Sequence, residues 1–369
     1  MFFGQQSGYA KLCDGKLKDQ WPDVESVIDT DPRRISWTRA LKADAKRGKV
    51  YAFEEASLTQ SAYRPFAKQW LYFNRRFNEM VYQQPKLFPT QRHPNVVISC
   101  TGVADRKGFS VLIANMVPNM HLTDTGQCYP MYWYEAVERQ DTTAQAAMFG
   151  AQGQGDADAD ADGYVRRESI TDWALGAFRE RYDDASITKE DIFWYVYGIL
   201  HSPEYRTRFA TDLKKMVPRI PYAQNFHAFS DAGRTLGQWH LNYETIEPYA
   251  LTEESKRLVM EPGDLRVDKM VFGKKDGKPD KSVILYNPHL ALRDIPLEAY
   301  DYVVNGKSAI EWVMERYAVS IDKSSGIKND PNEWSTDPRY IVDLVKRIVR
   351  VSVETARIVK GLPALAEMS

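Results

Sequence analysis

The chain has 369 residues, 43% of them hydrophobic, which is long enough and apolar enough for one large domain or two lobes around a real core. Its 49 basic and 50 acidic side chains give a net charge of −1, which excludes a strongly basic protein and restricts any DNA-binding surface to a local patch. Three scattered cysteines without a CxxC pair exclude a cysteine-rich zinc site. Neither a secretory leader pattern nor an apolar run of bilayer length is visible, so we expect a cytoplasmic protein.

The N-terminal third is predicted to be rich in β-strands. Residues 1–30 lack a helix or strand period, and we interpret them as an N-terminal remnant or linker. A short capped helix is predicted to end at Gly48, followed by a strand at residues 49–53. β-Branched or aromatic runs then predict strands at residues 69–73, 95–100, 109–115 and 128–134. Residues 31–139 are therefore predicted to form a β-rich lobe.

Residues 140–168 are rich in Ala, Gln, Gly and Asp and are predicted to form a flexible acidic loop. Asp158, Asp160 and Asp162, followed by glycine, match the opening of a calcium loop. The bidentate glutamate of such a loop belongs at position 12, which is Ser169, and Glu168 comes one place early. A solvated acidic loop is the favoured interpretation, and the three aspartates remain calcium candidates.

Residues 169–365 are predicted to form a helical α/β lobe organised around residues 190–221. Apolar side chains there recur at the spacing of a buried helix, and Thr188 with Asp191 predicts a capping box. Pro203 ends that helix, so Ser202 is expected to cap a second helix that reaches about Met216.

The other elements of this lobe follow from the same rules. Helices are predicted at residues 169–182 with Ser169 as cap, and at 225–245, 307–317 and 338–360, with a hairpin across 268–287. The predicted fold is mixed α/β. A β-rich recognition lobe with a curved mixed sheet packs against a helix-rich C-terminal lobe.

Nucleotide and hydrolase motifs are incomplete. GKS at residues 306–308 lacks the earlier glycine of a phosphate loop, because Asp301 stands there. NPH at residues 287–289 lacks the second proline and the aromatic residue that would hold a flipped base. Two pairs at helical spacing, His201 with Glu204 and His240 with Glu244, suit either a metal site or hydrogen-bonded core and capping positions.

The remaining candidate chemistry is a set of basic and amide side chains between aromatic residues in predicted loops. Arginine and glutamine suit bidentate contacts with guanine and adenine edges, and lysine suits phosphate. A solvated basic face is the alternative explanation. The DNA-binding candidates are Arg64, Lys68, Arg75, Arg76, Gln83, Gln84, Arg92, Arg106 and Lys107.

Long stretches of the chain resemble the C-terminal specificity, or target-recognition, region of type ISP restriction-modification enzymes and their helicase-related relatives. The resemblance rests on AYRPFAKQWLYF at residues 62–73, DIFWYVYGILHSPEYRTRFATDLKKMVPRIP at 191–221, GRTLGQWHLNYE at 233–244, YVVNGKSAIEWVMERY at 302–317 and ETARIVKGLP at 354–363. It implies that the recurring residues build the scaffold. These are Tyr63, Pro65, Phe66, His201, Pro203, Tyr205, Arg206, Arg219 and Pro221.

The resemblance implies a non-catalytic domain that recognises a double-stranded DNA target for an ATP-dependent, anti-phage restriction-modification system. It would position the target adenine for a separate methyltransferase module. Nuclease, helicase and adenine methyltransferase modules would precede it, and ATP, magnesium and S-adenosylmethionine are expected only there. The chain is then expected to be a fragment, a truncated gene product or a stand-alone specificity subunit.

Two other functions stay open. Near-zero net charge and many aromatic residues also suit a protein-interaction module that docks onto helicase or methyltransferase partners. The other is a metal-dependent nuclease that uses His201, Glu204, His240 and Glu244.

Overall fold

The computed structural model describes residues 2–31, 36–103, 107–137 and 159–366, which form a mixed α/β fold. The helices there are α1 (Phe2–Cys13), α2 (Val24–Val27), α3 (Arg39–Lys46), α4 (Gln84–Leu87), α5 (Asp172–Tyr182), α6 (Lys189–His201), α7 (Pro203–Arg208), α8 (Phe226–Leu241), α9 (Ala309–Arg316) and α10 (Tyr340–Lys360). Short 3-10 helices lie at Lys18–Gln20, Glu55–Ser57, Pro262–Leu265, Leu297–Tyr300 and Pro331–Glu333.

The strands are divided among several small sheets, whereas one curved mixed sheet was predicted. They are β1 (Leu58–Arg64), β2 (Ala67–Tyr72), β3 (Val97–Cys100), β4 (Val111–Ala114), β5 (Val117–Pro118), β6 (Gln127–Pro130), β7 (Tyr132–Ala136), β8 (Tyr164–Glu168), β9 (Thr252–Ser255), β10 (Val271–Lys275), β11 (Lys278–Leu285), β12 (Leu290–Arg293), β13 (Val303–Val304), β14 (Lys307–Ser308), β15 (Ser320–Ile321) and β16 (Lys328–Asn329). The sheet orders are β2-β1-β5, β4-β3-β6, β7-β8, β10-β11-β12-β9, β13-β14 and β15-β16. The β1–β5 pair is parallel and the β1–β2 pair is antiparallel, so the first of these sheets is mixed.

Sheet β4-β3-β6 lies between two hydrophobic cores, because β3 and β4 are buried on both faces. Successive side chains of a strand point to opposite faces, so each strand contributes to both cores. Val97, Leu112 and Ala114 join the first core with β11, β12, α9 and α10. Ile98, Cys100, Val111 and Ile113 join the second core with α6, α7 and α8. The two predicted lobes therefore share their cores.

Helices α6 and α8 cross at unusually close range, because glycines face each other at the contact. A Cβ atom added to Gly198 would overlap the carbonyl oxygen of Phe229, and one added to Gly233 would overlap that of Trp194. The glycines in the motifs at residues 191–221 and 233–244 are therefore needed for this packing.

The predicted helical corner forms, with one change in length. Thr188 and Asp191 make the capping box of α6, and the Ser202 hydroxyl accepts a hydrogen bond from the Tyr205 amide at the start of α7. Helix α7 ends at Arg208, so the prediction that it reaches Met216 is wrong. The chain turns back instead, and the Tyr205 hydroxyl donates to the carbonyl oxygen of Arg219 at 2.8 Å.

Two other side chains brace this corner. The Tyr195 hydroxyl donates to the carbonyl oxygen of Pro221, in the returning segment, at 2.6 Å. Nε of Arg206 donates to the carbonyl oxygen of Leu200 at 2.7 Å and so ties α7 to the end of α6. His201 is 3% exposed, and Pro203 is the first residue of α7, where its missing N–H leaves no hydrogen bond unmade.

The first residues form helix α1, although their pattern predicts neither helix nor strand. Tyr9 and Cys13 of α1 pack with Val24, Ile28 and Ala45 in a small third core. The strand predicted at residues 49–53 does not form. Side chains hold that segment instead, since Oε1 of Gln6 accepts a hydrogen bond from the Tyr51 amide at 2.8 Å.

The observed bounds of several other helices and strands differ from those predicted from the sequence. Thr171, and not Ser169, caps α5, because its hydroxyl accepts from the Ala174 amide. Residues 164–168 at the end of the predicted flexible loop form β8, which pairs with β7. The predicted hairpin forms between β10 and β11, and the predicted helices at α8, α9 and α10 are present with shorter bounds. Throughout the described ranges, no helix has both the length and the apolar character needed to cross a bilayer.

Candidate nucleic-acid interface

Strands β1 and β2 form a ribbon that turns through two buried residues, Pro65 and Phe66. Phe66 has a φ of 57°, a left-handed conformation that costs a bulky residue about 1 kcal/mol or more. Packing offsets that cost, since the ring centroids of Tyr243 and Tyr302 lie 5.3 and 6.1 Å from that of Phe66. The turn of the ribbon is therefore held by the protein core.

Arg64 ends strand β1, so it is a strand residue and not the predicted loop residue. Its guanidinium lies 4.1 Å from the ring centroid of Tyr63. Nη1 donates hydrogen bonds to the carbonyl oxygen of Tyr63 at 2.7 Å and to Oδ1 of Asn119 at 3.0 Å. Burial lowers the pKa of the guanidinium, which still carries its charge at neutral pH. Arg64 is thus oriented by contacts within the protein.

Lys68 also lies in a strand, β2, where the prediction placed it in a loop. Its ammonium group forms an ion pair with Glu244, which follows α8. The other oxygen of that carboxylate accepts a hydrogen bond from the Tyr340 hydroxyl at 2.9 Å. The charge of Lys68 is therefore balanced inside the protein and joins the ribbon to the C-terminal helices.

Arg75 and Arg76 are exposed in the turn that follows β2. Together with Arg39 at the start of α3 they line one groove, here called the arginine groove. Within the described residues, none of the three forms an ion pair with a carboxylate, and the Arg76 guanidinium lies 6.0 Å from the ring centroid of Tyr51. The groove is lined by Arg39, Ala40, Ala43, Arg75, Arg76, Asn78, Glu79, Met80, Val81 and Tyr82.

The two predicted glutamines differ in their surroundings. Gln83 is exposed just before α4, beside the end of the arginine groove. Gln84 is half-buried, and its Nε2 lies 3.9 Å from Sγ of Cys128. Gln83 is thus presented to solvent, while Gln84 faces the protein interior.

Arg92 forms an ion pair with Asp162, and Nε2 of the adjacent His93 lies 2.8 Å from Oδ2 of Asp160. The pKa of the Asp160 carboxyl lies below its ordinary value, chiefly because the carboxylate accepts a hydrogen bond from the Tyr164 backbone amide. The hydrogen bond with His93 lowers the pKa as well. The carboxylates of Asp160 and Asp162 therefore bind the 92–93 turn. Asp158, the third calcium candidate, lies outside the described residues.

Lys107 is exposed at a junction between two loops, away from the arginine groove lining. Its Cβ lies near Gly306, in the β13–β14 turn. The neighbouring Asn305 ties this junction together, because its amide donates to Ser110 Oγ at 2.9 Å. Arg106 lies outside the described residues.

Trp70 on β2 was not among the predicted residues, yet it is 73% exposed. It stands opposite Gln60 of β1 in the ribbon. A second groove beside it is lined by further amide side chains, including Gln91 and Asn115. Alternation along β2 is the signal that could have found Trp70, because the buried Ala67 and the exposed Trp70 lie on opposite faces of the strand.

The two predicted histidine–carboxylate pairs do not form. Glu204 accepts a hydrogen bond from the Leu365 amide at 2.7 Å, and Glu244 pairs with Lys68. Burial lowers the pKa of His240 to about 3 and lowers that of His201 well below its ordinary value. Among the described residues no group of three His, Cys, Asp or Glu side chains comes together.

Asn287, of the NPH sequence, is used by its own loop. Its amide nitrogen donates to the carbonyl oxygens of Asp264 and Arg266 at 2.7 and 3.0 Å. Its Oδ1 accepts from the amides of His289 and Leu290, both at 2.8 Å. These bonds engage both the nitrogen and the oxygen of the side-chain amide, so Asn287 holds its own loop in place.

Three solved structures resemble this chain closely. A nuclease-deletion mutant of the Type ISP restriction-modification enzyme LlaGI, in complex with a DNA substrate mimic, matches with 32% identity and a TM-score of 0.78, over 100% of this chain and 30% of that one. The ATP-dependent Type ISP restriction-modification enzyme LlaBIII bound to DNA matches with 29% identity and a TM-score of 0.80, over 100% and 22%. A cryo-EM structure of a DrdV–DNA complex matches with 32% identity and a TM-score of 0.78, over 99% and 33%.

This chain therefore spans a third or less of the length of the proteins that it resembles. Comparison with curated proteins gives no match. The mixed α/β class predicted from the sequence is confirmed by these structures, and so is the resemblance seen in the motifs. Because residues 14–344 match the Type ISP C-terminal specificity domain, the chain belongs to that family.

Proposed function

We propose that this chain recognises a DNA target sequence for an ATP-dependent restriction-modification enzyme of anti-phage defence. The observation that carries the proposal is the arginine groove, where Arg39, Arg75 and Arg76 are free of carboxylate partners within the described residues. Such unpaired guanidinium groups on a chain of near-zero net charge form the local basic patch that DNA binding requires.

In the proposed mode of binding, the three arginines contact phosphates and fix the register of the duplex. Exposed amide side chains next to them contact base edges in a groove of the DNA, where glutamine suits adenine. Gln83 lies beside the arginine groove, and Gln60 lies with Trp70 on the neighbouring ribbon. The ribbon and the turn after it would thus form one reading surface.

The catalytic steps would take place outside this chain. Nuclease, helicase and adenine methyltransferase modules, in the same polypeptide or in separate subunits, would carry the sites for ATP, magnesium and S-adenosylmethionine. The proposal is supported by side chains here that are already engaged: Ser308 of the GKS sequence caps α9, and Asn287 holds its own loop. The chain would deliver a target adenine to the methyltransferase in the cytoplasm of a prokaryote.

Selection from a random-sequence duplex library, followed by sequencing, tests the proposal. We expect an enriched motif, and we expect binding to weaken with salt because arginine–phosphate contacts release counterions. Competition in gel shifts between the enriched duplex and a shuffled duplex measures specificity. If no motif is enriched and binding does not depend on salt, the proposal is wrong, and capture of helicase or methyltransferase modules by this chain would instead support a docking module.

A further inference from the structure

Two large side chains at one edge of the arginine groove point into solvent. Met80 is 75% exposed and Tyr82 is 78% exposed. Their backbones have φ values of 54° and 48°, a region that bulky side chains rarely adopt. The Tyr82 hydroxyl lies 3.8 Å from Sδ of Met80, so the two side chains form one projecting apolar unit, here called the 80–82 tip.

The segment that carries the tip is held on its N-terminal side. Nδ2 of Asn78 donates to the carbonyl oxygens of Tyr72 and Asn74 at 2.7 and 3.0 Å. Asn74 in turn donates to Glu54 at 2.8 Å. These bonds fix the turn that contains Arg75 and Arg76 relative to the ribbon.

The segment is held equally on its C-terminal side. The Gln84 amide donates to the carbonyl oxygen of Val81 at 3.1 Å, at the start of α4. Helix α4 ends in Leu87, which is 7% exposed and belongs to the first core, and Nδ2 of Asn95 donates to the Leu87 carbonyl oxygen at 2.9 Å. The tip is therefore a braced projection.

The charges around the tip are complementary to the negative charges of a nucleic acid. Arg39, Arg75 and Arg76 share its groove. The one carboxylate among the described lining residues, that of Glu79, accepts a hydrogen bond from the Ala40 amide at 3.0 Å in the first turn of α3. Its negative charge is thus directed to a helix N-terminus, where the helix dipole favours it.

We propose that the 80–82 tip inserts into the duplex bound in the arginine groove, with the ring of Tyr82 stacking on a base and Met80 filling the opened step. An apolar wedge flanked by arginine–phosphate contacts is a means of unstacking a base step and bending the duplex. A tyrosine ring suits stacking because every base presents a π-face. The inference rests on the proposed function, and it assigns to these two residues the deformation of the DNA.

The test uses duplexes of the selected sequence that carry 2-aminopurine at each position in turn, since its fluorescence rises when the base loses its stacking neighbours. The wild-type chain is expected to raise the fluorescence several-fold at one step. Tyr82→Gly should abolish this rise and weaken binding by about tenfold, because it removes the ring that stacks on the base. Tyr82→Phe, which keeps the ring, should preserve both.

Glycine is the informative replacement because it adopts a positive φ without strain, so Tyr82→Gly should melt at the wild-type temperature or above it. Trp173→Ala is the matched control, since Trp173 is 81% exposed on α5 and should leave fluorescence and affinity unchanged. Unchanged fluorescence and affinity in Tyr82→Gly would overturn the inference while leaving the proposed function intact. Failure of the wild-type chain to bind any duplex would instead overturn the proposed function, and the inference with it.

Discussion

The Tyr197 hydroxyl lies 2.6 Å from Nδ1 of His240 and joins helices α6 and α8 in the protein interior. Nε2 of the same imidazole lies 2.9 Å from the Thr355 hydroxyl of α10. This pairing suits a neutral ring that accepts at Nδ1 and donates from Nε2. The ring of His201 lies 5.4 Å away, so two buried histidines share a site near the Arg206 guanidinium.

We expect the fold to lose stability as the pH falls below about 6.5, the ordinary pKa of histidine. Burial and then Arg206 lower the pKa of His240 to about 3, and burial, Arg206 and His240 lower that of His201. Below pH 6.5 the unfolded chain therefore binds more protons than the folded one. Each histidine should remove up to about 1.4 kcal/mol of stability per pH unit.

Urea unfolding between pH 8 and pH 5 measures this slope. His240→Leu lowers the stability at every pH because it removes two hydrogen bonds, but it should flatten the slope by removing one titrating group. An equal slope in the wild type and the variant would show that His240 does not titrate on unfolding.

His201→Ala should destabilise the fold without changing DNA affinity at a temperature where the variant remains folded. His201 is 3% exposed and its ring centroid lies 4.5 Å from that of Tyr197, so its removal leaves a cavity worth about 2–4 kcal/mol. Thermal and urea unfolding provide the readout. His121→Ala, at a half-exposed histidine, should change stability by less than about 0.5 kcal/mol. A loss of DNA affinity in a folded His201→Ala protein would contradict the scaffold role.

Gly198→Ala should separate α6 from α8. The added Cβ would meet the Phe229 carbonyl oxygen, which is backbone and cannot rotate away, so we expect a loss of about 3 kcal/mol or more. Gly176→Ala on α5 is the matched control, because a Cβ there meets nothing within 4 Å. It should gain about 0.5–1 kcal/mol from helix propensity. Equal effects of the two substitutions on the urea midpoint would refute the close-crossing argument.

The double variant Arg75→Ala/Arg76→Ala should weaken DNA binding at every sequence while leaving the fold intact. Both guanidinium groups are exposed and lack carboxylate partners among the described residues, so their removal leaves DNA phosphates without a positive charge beside them. The slope of log binding constant against log salt should become shallower by about 1 for each phosphate that is no longer neutralised. The double variant Lys214→Ala/Lys215→Ala removes the same charge from an exposed turn after α7 and should retain the wild-type slope. Equal slopes for both double variants would remove the arginine groove from the interface.

Local signals predicted the central helices well. The capping box at Thr188 and the break at Pro203 depend on residues within four positions of one another, so they can be read directly from the sequence. Helix α1 could not be predicted in this way. Its buried residues Gln6, Tyr9 and Cys13 do recur at helical spacing, but Gln6 is polar, so the apolar pattern of that face is interrupted. Tyr9 and Cys13 pack against residues of α2 and α3, and those partners cannot be read from the α1 sequence itself.

The predicted DNA-binding residues show the same limit. Lys68, Arg75 and Arg92 were all predicted to bind DNA because of their residue type. In the structure Lys68 pairs with Glu244, which lies 176 positions away in the sequence. Arg92 pairs with Asp162, which lies 70 positions away. Such distant partners are set by the folded chain and leave no mark in sequence spacing. The structure therefore distinguishes arginines available to a ligand from cations that are already engaged.

The position of sheet β4-β3-β6 between two cores affects both the folding of this domain during synthesis and the ways in which it can be engineered. During synthesis, β3 and β4 leave the ribosome long before α8 and α10. Both apolar faces of these strands therefore remain exposed to solvent until those helices have been made. The nascent N-terminal region is therefore prone to aggregation until the last helix has been made.

Because the sheet belongs to both cores, exchanging residues 31–139 between relatives to transfer target specificity would replace the side chains that β3 and β4 contribute to each core. Specificity is better altered by surface substitutions on the ribbon and the groove.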